Sequence, residues 1–450
     1  MNQTSWQTRD LAHIWHPCSQ MKDYEDFPPI IIDRGEGVRL FDLDGKEYLD
    51  IISSWWCNTL GHCNPRIAEA IKHQVDKLDH VLFANFSHEG VIQLAERLAD
   101  ITPEGLDKFC FSDNGSTSVE CALKMSFQYH LQTGHPEKQR FMCLSDGYHG
   151  ETLGALSVCA DSMYAGLYAP LMHDSHVVRA PDCYRCPYGC TRKTCTCPCF
   201  EHAERLFEQK AYETCAIIVE PLLQGSAGMR MYPPLYLEKL RALCDEHHVH
   251  LIADEVATGF GRTGTMFAFD QTSVVPDLLC TSKNLTGGFL PMAVTAVTEE
   301  IYRAFYADYS EGKAFMHSHT YSGNPIAAAA ALAVQDALRE DDLVKHASTM
   351  GNYANQLLSE AFSDHPHIGE IRQLGPINAM ELVVNRATKE GFASRDRIGY
   401  HLYRQALDRG LMLRPLGNVV YFNPALTITR QEVELAVERT IDALEAVLDR

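Results

Sequence analysis

The chain has 450 residues, enough for about two or three structural units of roughly 150 residues each and for a large buried core. Its 39 Lys and Arg against 59 Asp and Glu leave a formal charge of −20, which counts against a broad nucleic-acid footprint and against attraction to an anionic membrane. No stretch approaches the ~18 consecutive apolar residues of a membrane span, and residues 1–20 lack the basic-then-apolar pattern of a secretory signal; a cytoplasmic protein with neither nucleic acid nor membrane as partner is expected.

No repeat period and no low-complexity tract stands out, which argues against solenoids and propellers. The first element is a hairpin, because VRLFDLDGKEYLDI (38–51) alternates around Asp44-Gly45. From residue 60 to residue 300, short apolar runs alternate with longer helical stretches, the texture of a doubly wound α/β domain with a parallel sheet. Strands are expected at 108–111, 140–144, 216–220, 250–254, 278–282 and 293–297, with helices at 118–130, 236–247 and 325–338. A helix at 395–409, the runs LMLRPL and VVYFNP, and a helix at 430–449 read as a smaller α+β unit. The expected fold is α/β, with a large domain (61–328) on a mainly parallel sheet and a small α+β domain built from both ends (1–60 and 329–450).

Open parallel sheets bind ligands in the crevice beyond the carboxyl ends of their strands. Here those ends deliver Asn114-Gly115-Ser116 opening a helix, then Tyr148, Glu220, Asp254 and Lys283. Gly115 and Ser116 offer free N–H groups and a hydroxyl at the positive end of a helix, a phosphate site in one reading and, in the other, a plain N-cap with Ser116 bonding a first-turn N–H. Lys283 is a surface residue unless a crevice lowers its proton affinity, in which case it suits Schiff-base chemistry. Asp254, ending an apolar run, needs a cationic partner. Together the three fit a phosphate-bearing aldehyde cofactor: phosphate on Gly115-Ser116, aldehyde on Lys283, protonated ring nitrogen on Asp254. Tyr148 can stack on one ring face and Val256 on the other, or Tyr148 can simply cap the core.

These residues carry a resemblance. IADEVATGFGRTGTMFA (252–268), PDLLCTSKNLTGG (276–288), SDNGSTSVECALKM (112–125), DGYHGETLGALSV (146–158) and HSHTYSGNP (317–325) resemble, in order, the motifs of class III pyridoxal-phosphate aminotransferases of fold type I. Within that family, IWHPCSQMKDY (14–24), SSWWCNTLGH (53–62), EPLLQGSAGMRMYPP (220–234) and LMLRPLGNVVYFNP (411–424) are similar to the members of biotin synthesis that convert 8-amino-7-oxononanoate to 7,8-diaminononanoate. The resemblance implies pyridoxal 5'-phosphate as cofactor, small-molecule substrates, and S-adenosylmethionine or lysine as amino donor. It implies Lys283 as the Schiff-base lysine, Asp254 as the ring-nitrogen partner, Tyr148 stacked on the cofactor, and Gly115 and Ser116 on the phosphate. His319 and Thr320 are implied to complete the phosphate site from the other subunit of a homodimer. Trp55, with Trp56 behind or beside it, is implied to line the substrate channel, and Arg414 to bind the acceptor's distant carboxylate. Arg262 and Tyr421 are implied as weaker substrate contacts, and Glu220 as either an active-site group or a buried structural acid. Adjacent tryptophans on a strand point to opposite faces, so only one of Trp55 and Trp56 needs burial.

Two positions depart from the family pattern: Cys18 stands where an aromatic is usual, and Ser318 where the H-G-x-T stretch carries glycine. Both bear on the amino donor. The rival readings are another ω-amino transaminase using lysine, 4-aminobutyrate or β-alanine, and an inactive metal- or redox-binding relative. The second is prompted by Cys183, Cys186, Cys190, Cys195, Cys197 and Cys199, six of the chain's 16 cysteines. Reduced or redox-sensitive thiols are the expected state of that loop, with bound zinc or a cluster as the alternative. No metal ligand is assigned.

Overall fold

The computed structural model describes residues 3–159 and 163–448. A seven-stranded sheet forms its centre, in the order Leu106–Ser112, Ala293–Thr298, Leu278–Thr281, His250–Asp254, Thr214–Val219, Arg140–Leu144 and Ser175–Val178. The strand Ala293–Thr298 runs antiparallel to both neighbours, and the other pairings that link the strands are parallel. An apolar run carries no direction, so AVTAV reads as a strand without disclosing that it is reversed. Every residue of Thr214–Val219 and His250–Asp254 is buried, as strands covered on both faces must be.

Helix Gly115–Gln132 packs on one face of this sheet, against Leu278–Thr281 and Ala293–Thr298. It starts where Asn114 accepts the N–H of Thr117 at 3.1 Å while the Thr117 hydroxyl accepts the N–H of Asn114 at 3.0 Å, a reciprocal cap. On the other side, Pro325–Glu340 packs against Pro65–Lys77 and Glu89–Ile101. The hairpin forms as expected, Arg39–Asp42 pairing with Glu47–Asp50 and Gly45 taking φ +83° in the turn. Leu411–Met412 then adds to Glu47–Asp50 in parallel, so residues from both ends of the chain share one small sheet. A third sheet, Ile368–Leu374, Ile377–Leu382 and Val419–Phe422, is flanked by Leu343–Phe362. Helices Ile398–Asp408 and Arg430–Leu448 pack on each other. Residue 449, the expected end of the last helix, lies outside the described residues.

Candidate active site

Parallel register places the chemistry. Ala253 lies opposite Val219 and Asp254 opposite Cys280, so the chain emerges from adjacent strands at Glu220, Asp254 and, after Ser282, Lys283. Asp254 is 5% exposed. One of its carboxylate oxygens lies 2.7 Å from Nδ1 of His149, and the other accepts the Val256 N–H at 3.1 Å. His149 is itself buried, and its N–H donates to Cys159 Sγ at 3.0 Å. Both oxygens of Asp254 are therefore fixed in direction before any ligand is considered.

Glu220 accepts the Tyr148 N–H at 3.0 Å and the Gly225 N–H at 2.9 Å, which ties the aromatic loop to the strand ends. Burial pushes its carboxyl up to about 7. Lys283 has φ +32°, an uncommon conformation for a side-chain-bearing residue and one that surrounding structure must hold. Its amine has no hydrogen-bond partner among the described residues, and the Trp56 ring centre is 5.0 Å away. Burial lowers its proton affinity, with Asp254 and Glu220 opposing that shift.

A cavity of about 1210 Å³ opens beside this rim, and Tyr148 belongs to both. Its wall also includes Cys18, Tyr164 and Arg414. Trp55 is 45% exposed, with the Arg414 guanidinium 4.6 Å from its ring centre. Arg414 donates to the Cys18 carbonyl at 3.4 Å and forms no ion pair with any described residue. Trp56 is buried and donates from its indole N–H to the Tyr421 hydroxyl at 2.9 Å. The two tryptophans are not on a strand: Ser53–Trp56 is a kinked helical turn with positive φ at Ser53, Ser54 and Trp56. That turn, rather than strand alternation, separates their environments.

Comparison with known proteins decides the family. The class-III aminotransferase model matches residues 20–444. The chain belongs to this family. An adenosylmethionine-8-amino-7-oxononanoate aminotransferase of Nitratidesulfovibrio vulgaris is 44% identical over 98% of this chain and 81% of its own length. One from Geobacter sulfurreducens is 43% identical over 95% of both chains. The crystal structure of the enzyme of that name from Methanocaldococcus jannaschii superposes with a TM-score of 0.93 at 36% identity, covering 99% of this chain and 100% of the other. An omega transaminase from Pseudomonas jessenii in complex with PMP superposes at 0.92 with 31% identity over 98% of each. The fold is that of fold type I pyridoxal-phosphate enzymes, and the chain is a pyridoxal-phosphate-dependent aminotransferase.

The residues present fit the cofactor of the class-III aminotransferases. Gly115 opens the helix without a side chain, and a Cβ there would come 2.7 Å from Val256, so the packing of Val256 against this turn requires glycine. Gly150, at φ +119°, brings its backbone onto Ser116, whose hydroxyl accepts the Glu151 N–H at 3.3 Å. An otherwise unbonded lysine amine and an oriented, buried carboxylate complete the set.

Other expected positions fall differently. Arg262 has 0% exposure, and its guanidinium bonds the Asn284 side chain at 2.9 Å, the Asn423 side chain at 3.1 Å and the Pro424 carbonyl. It is a buried tie between segments through Nε and Nη1, while its Nη2 is buried with no hydrogen-bond partner among the described residues, the one nitrogen left for a ligand. Tyr421 is likewise buried, engaged by Trp56. His319 lies beside its own chain's Asp113, Nδ1 to Oδ2 at 2.7 Å, next to the turn that holds Gly115, while Ser318 and Thr320 are exposed. His149, Glu151 and Tyr164 join the site without a role that the sequence motifs imply. Glu151 accepts the Tyr148 hydroxyl at 3.0 Å and lies 3.8 Å from Cys18 Sγ, and Tyr164 packs edge-on to Tyr148 with centroids 5.0 Å apart. For His149 the signal was present: it follows Tyr148 directly after an apolar strand.

Proposed function

We propose that this chain transfers an amino group to 8-amino-7-oxononanoate, forming 7,8-diaminononanoate, with S-adenosylmethionine or lysine as donor. The observation that carries the reading is Arg414: a guanidinium without a carboxylate partner, stacked on Trp55 in the cavity wall that Tyr148 shares with the lysine-bearing rim. A long ω-carboxylate acceptor offers the fork a bidentate partner there. Relatives of that name at 44% and 43% identity support the substrate.

Pyridoxal 5'-phosphate, when bound, supplies an aldehyde to receive the amine and a ring that delocalises the electrons left as the donor carbon loses its proton. Lys283 holds the aldehyde through Nζ. Its lowered proton affinity keeps the released amine neutral more readily than an exposed lysine, so Nζ takes the proton from the carbon bearing the donor's amine. Asp254, held by His149 and the Val256 N–H, keeps a proton on the ring nitrogen. Gly115 and Ser116 hold the phosphate at the helix N-terminus. Tyr148 covers one face of the ring while Glu220 fixes its backbone. His319 and Thr320 serve the phosphate of the partner subunit in a homodimer. Exposed Leu82, Phe86, Met316 and Tyr321 offer that partner apolar surface.

The second reading is an ω-amino transaminase acting on a keto acid, favoured by neighbours named omega transaminase at TM-scores of 0.92 and 0.93. An acceptor panel separates the two. Turnover of 8-amino-7-oxononanoate at least about tenfold above pyruvate in kcat/KM, a difference of ~1.4 kcal/mol, is expected. The reverse order would replace the first reading by the second. Half-reactions with S-adenosylmethionine and with lysine then identify the donor, and sedimentation velocity tests the dimer.

A further inference from the structure

One buried carboxylate outside the rim has no part in the transamination described above. Asp50 ends the strand Glu47–Asp50 and is 2% exposed. A carboxylate is costly to bury unless its oxygens are bonded, and these are. One oxygen accepts the Ile52 N–H at 3.1 Å. The other accepts the Ser54 N–H at 2.7 Å, the Ser54 hydroxyl at 3.0 Å and Nε2 of His62 at 2.9 Å. His62 is fixed in turn. The Asn58 side-chain amide donates to its Nδ1 at 2.8 Å, so Nε2 carries the proton that faces Asp50. Its backbone N–H donates to the Gly37 carbonyl at 2.6 Å. A Cβ at Gly35 would come 2.8 Å from His62 Cβ, so the hairpin can lie this close to the imidazole only with glycine there.

These bonds converge on the turn Ser53–Trp56. Ser53, Ser54 and Trp56 have φ of +52°, +58° and +62°. Ser54, with ψ −84°, lies near the γ-turn conformation that is rare and strained for any residue bearing a side chain. Such conformations persist only where the surroundings over-determine them. Ser54 is the residue that Asp50 grips through both N–H and hydroxyl, and it immediately precedes the two tryptophans. The Trp55 ring centre lies 4.6 Å from the Arg414 guanidinium, and the Trp56 ring centre 5.0 Å from Lys283 Nζ.

We propose that Asp50, oriented by His62, is a positioning residue for amino transfer, holding the Ser53–Trp56 turn in its strained conformation and so setting Trp56 against Lys283 and Trp55 against Arg414. The inference rests on the roles given above to Lys283 and Arg414. Without the clamp the turn relaxes, and the two rings, carried by adjacent residues, move together. Ser53 remains tied to the Asn423 carbonyl at 2.8 Å and Trp56 to the Tyr421 hydroxyl at 2.9 Å, so the turn shifts without unfolding the domain.

Asp50→Asn keeps the size of the side chain and removes the charge that accepts these bonds. In the holoenzyme, the acceptor KM is expected to rise at least about fivefold and kcat to fall by a similar factor, because the turn touches both the mouth and the lysine. Loss of folded protein alone would lower kcat and leave KM unchanged. Amide hydrogen exchange, which needs no substrate, is expected to quicken in residues 52–58 while Thr214–Val219 and His250–Asp254 stay protected. In a Ser54→Gly background residue 54 accepts positive φ without a clamp. There Asp50→Asn is expected to change KM by no more than about twofold. If Asp50→Asn does not fold, His62→Phe, which keeps a ring in place and removes the bond to Asp50, is read in the same three ways. Unchanged KM, exchange that rises equally in the strands, or an undiminished effect in the Ser54→Gly background would each overturn the clamp. A wild type that turns over a keto acid in place of 8-amino-7-oxononanoate would replace the substrate reading alone, and the KM of that acceptor and the exchange pattern would still test the clamp.

Discussion

The rim that carries Lys283 and the mouth that carries Arg414 are built on opposite plans. At the rim, Glu220, Asp254 and Lys283 leave adjacent buried strands, and each carboxylate oxygen of Asp254 and Glu220 already has a partner. At the mouth, Trp55 and Cys18 come from the first part of the chain and Arg414 from a segment 396 residues beyond Cys18; all three are exposed and hold one another by a ring contact and one long hydrogen bond of 3.4 Å. Proton transfer tolerates little misplacement, so it sits on rigid strands. Substrate choice needs adaptable surface, and it sits on loops. If that division holds, substitutions at the rim abolish chemistry with any substrate, and substitutions at the mouth change only which substrate is used.

The largest effect is expected at the rim. Lys283→Ala removes both the covalent attachment and the proton carrier, and kcat should fall by at least ~10⁴-fold with every donor and acceptor. The visible absorbance of the attached cofactor should vanish with it. Turnover surviving with any one substrate pair would break the division, because that pair would be reacting without the strand-borne group.

A second rim experiment reads stability. Burial raises Glu220 to about 7, against ~4.3 for the unfolded chain. The folded state therefore holds this proton more tightly than the unfolded state. The stability it contributes is fully present below about pH 4.3 and is lost as pH rises through about 7. Wild type should lose up to about 3 kcal/mol relative to Glu220→Gln between pH 5 and pH 8, measured by chemical denaturation of both proteins at several pH values. Glu255, also raised to about 7 by burial, is common to both and cancels. A difference independent of pH would mean that Glu220 is already paired well enough to stay ionised.

The two regions were also unequally legible. TCAIIV runs straight into Glu220 and HLIAD ends on Asp254, so strand, burial and the place of the acid can be read together. The helix start at Asn114-Gly115-Ser116 is local and legible, but the residues suggest Ser116 as the cap, whereas Asn114 and Thr117 form it. Arg262 was not legible, because its partners Asn284 and Asn423 are 22 and 161 residues away and no local pattern announces that a guanidinium will be buried. The Ser53–Trp56 turn was misread for a similar reason. Positive φ at three residues without a glycine is held by distant contacts, among them Ser53 to the Asn423 carbonyl and Trp56 to Tyr421. Local propensity favoured the strand, and tertiary contacts overrode it.

At the mouth, Arg414→Met keeps much of the stem that packs on Trp55 and removes the fork. Loss of a charge-assisted contact is worth about 1.5–3 kcal/mol, with the lower end apt for an exposed arginine. The acceptor's kcat/KM should fall about tenfold, chiefly through KM, while cofactor absorbance and the donor half-reaction stay the same. A parallel loss in a donor lacking a carboxylate at that distance would sharpen the picture differently, giving Arg414 a role in shaping the cavity.

Cys18 is the smallest change. It already sits at φ +48°, so an aromatic in its place adds no new class of backbone strain. Its carbonyl, which Arg414 bonds, is present whatever the side chain. Partial desolvation of this exposed thiol and the neighbouring Glu151 raise its pKa, so it presents a small neutral surface beside the carboxylate that also takes the Tyr148 hydroxyl. Cys18→Phe therefore leaves the acceptor's anchor alone and fills the wall next to Tyr148 and Glu151. The ratio of kcat/KM for S-adenosylmethionine to that for lysine should move by up to about tenfold, or ~1.4 kcal/mol, with acceptor KM within about twofold. Were the acceptor KM to move as far as the donor ratio, residue 18 would be acting through Arg414, and the mouth would be one coupled surface in place of two separable contacts.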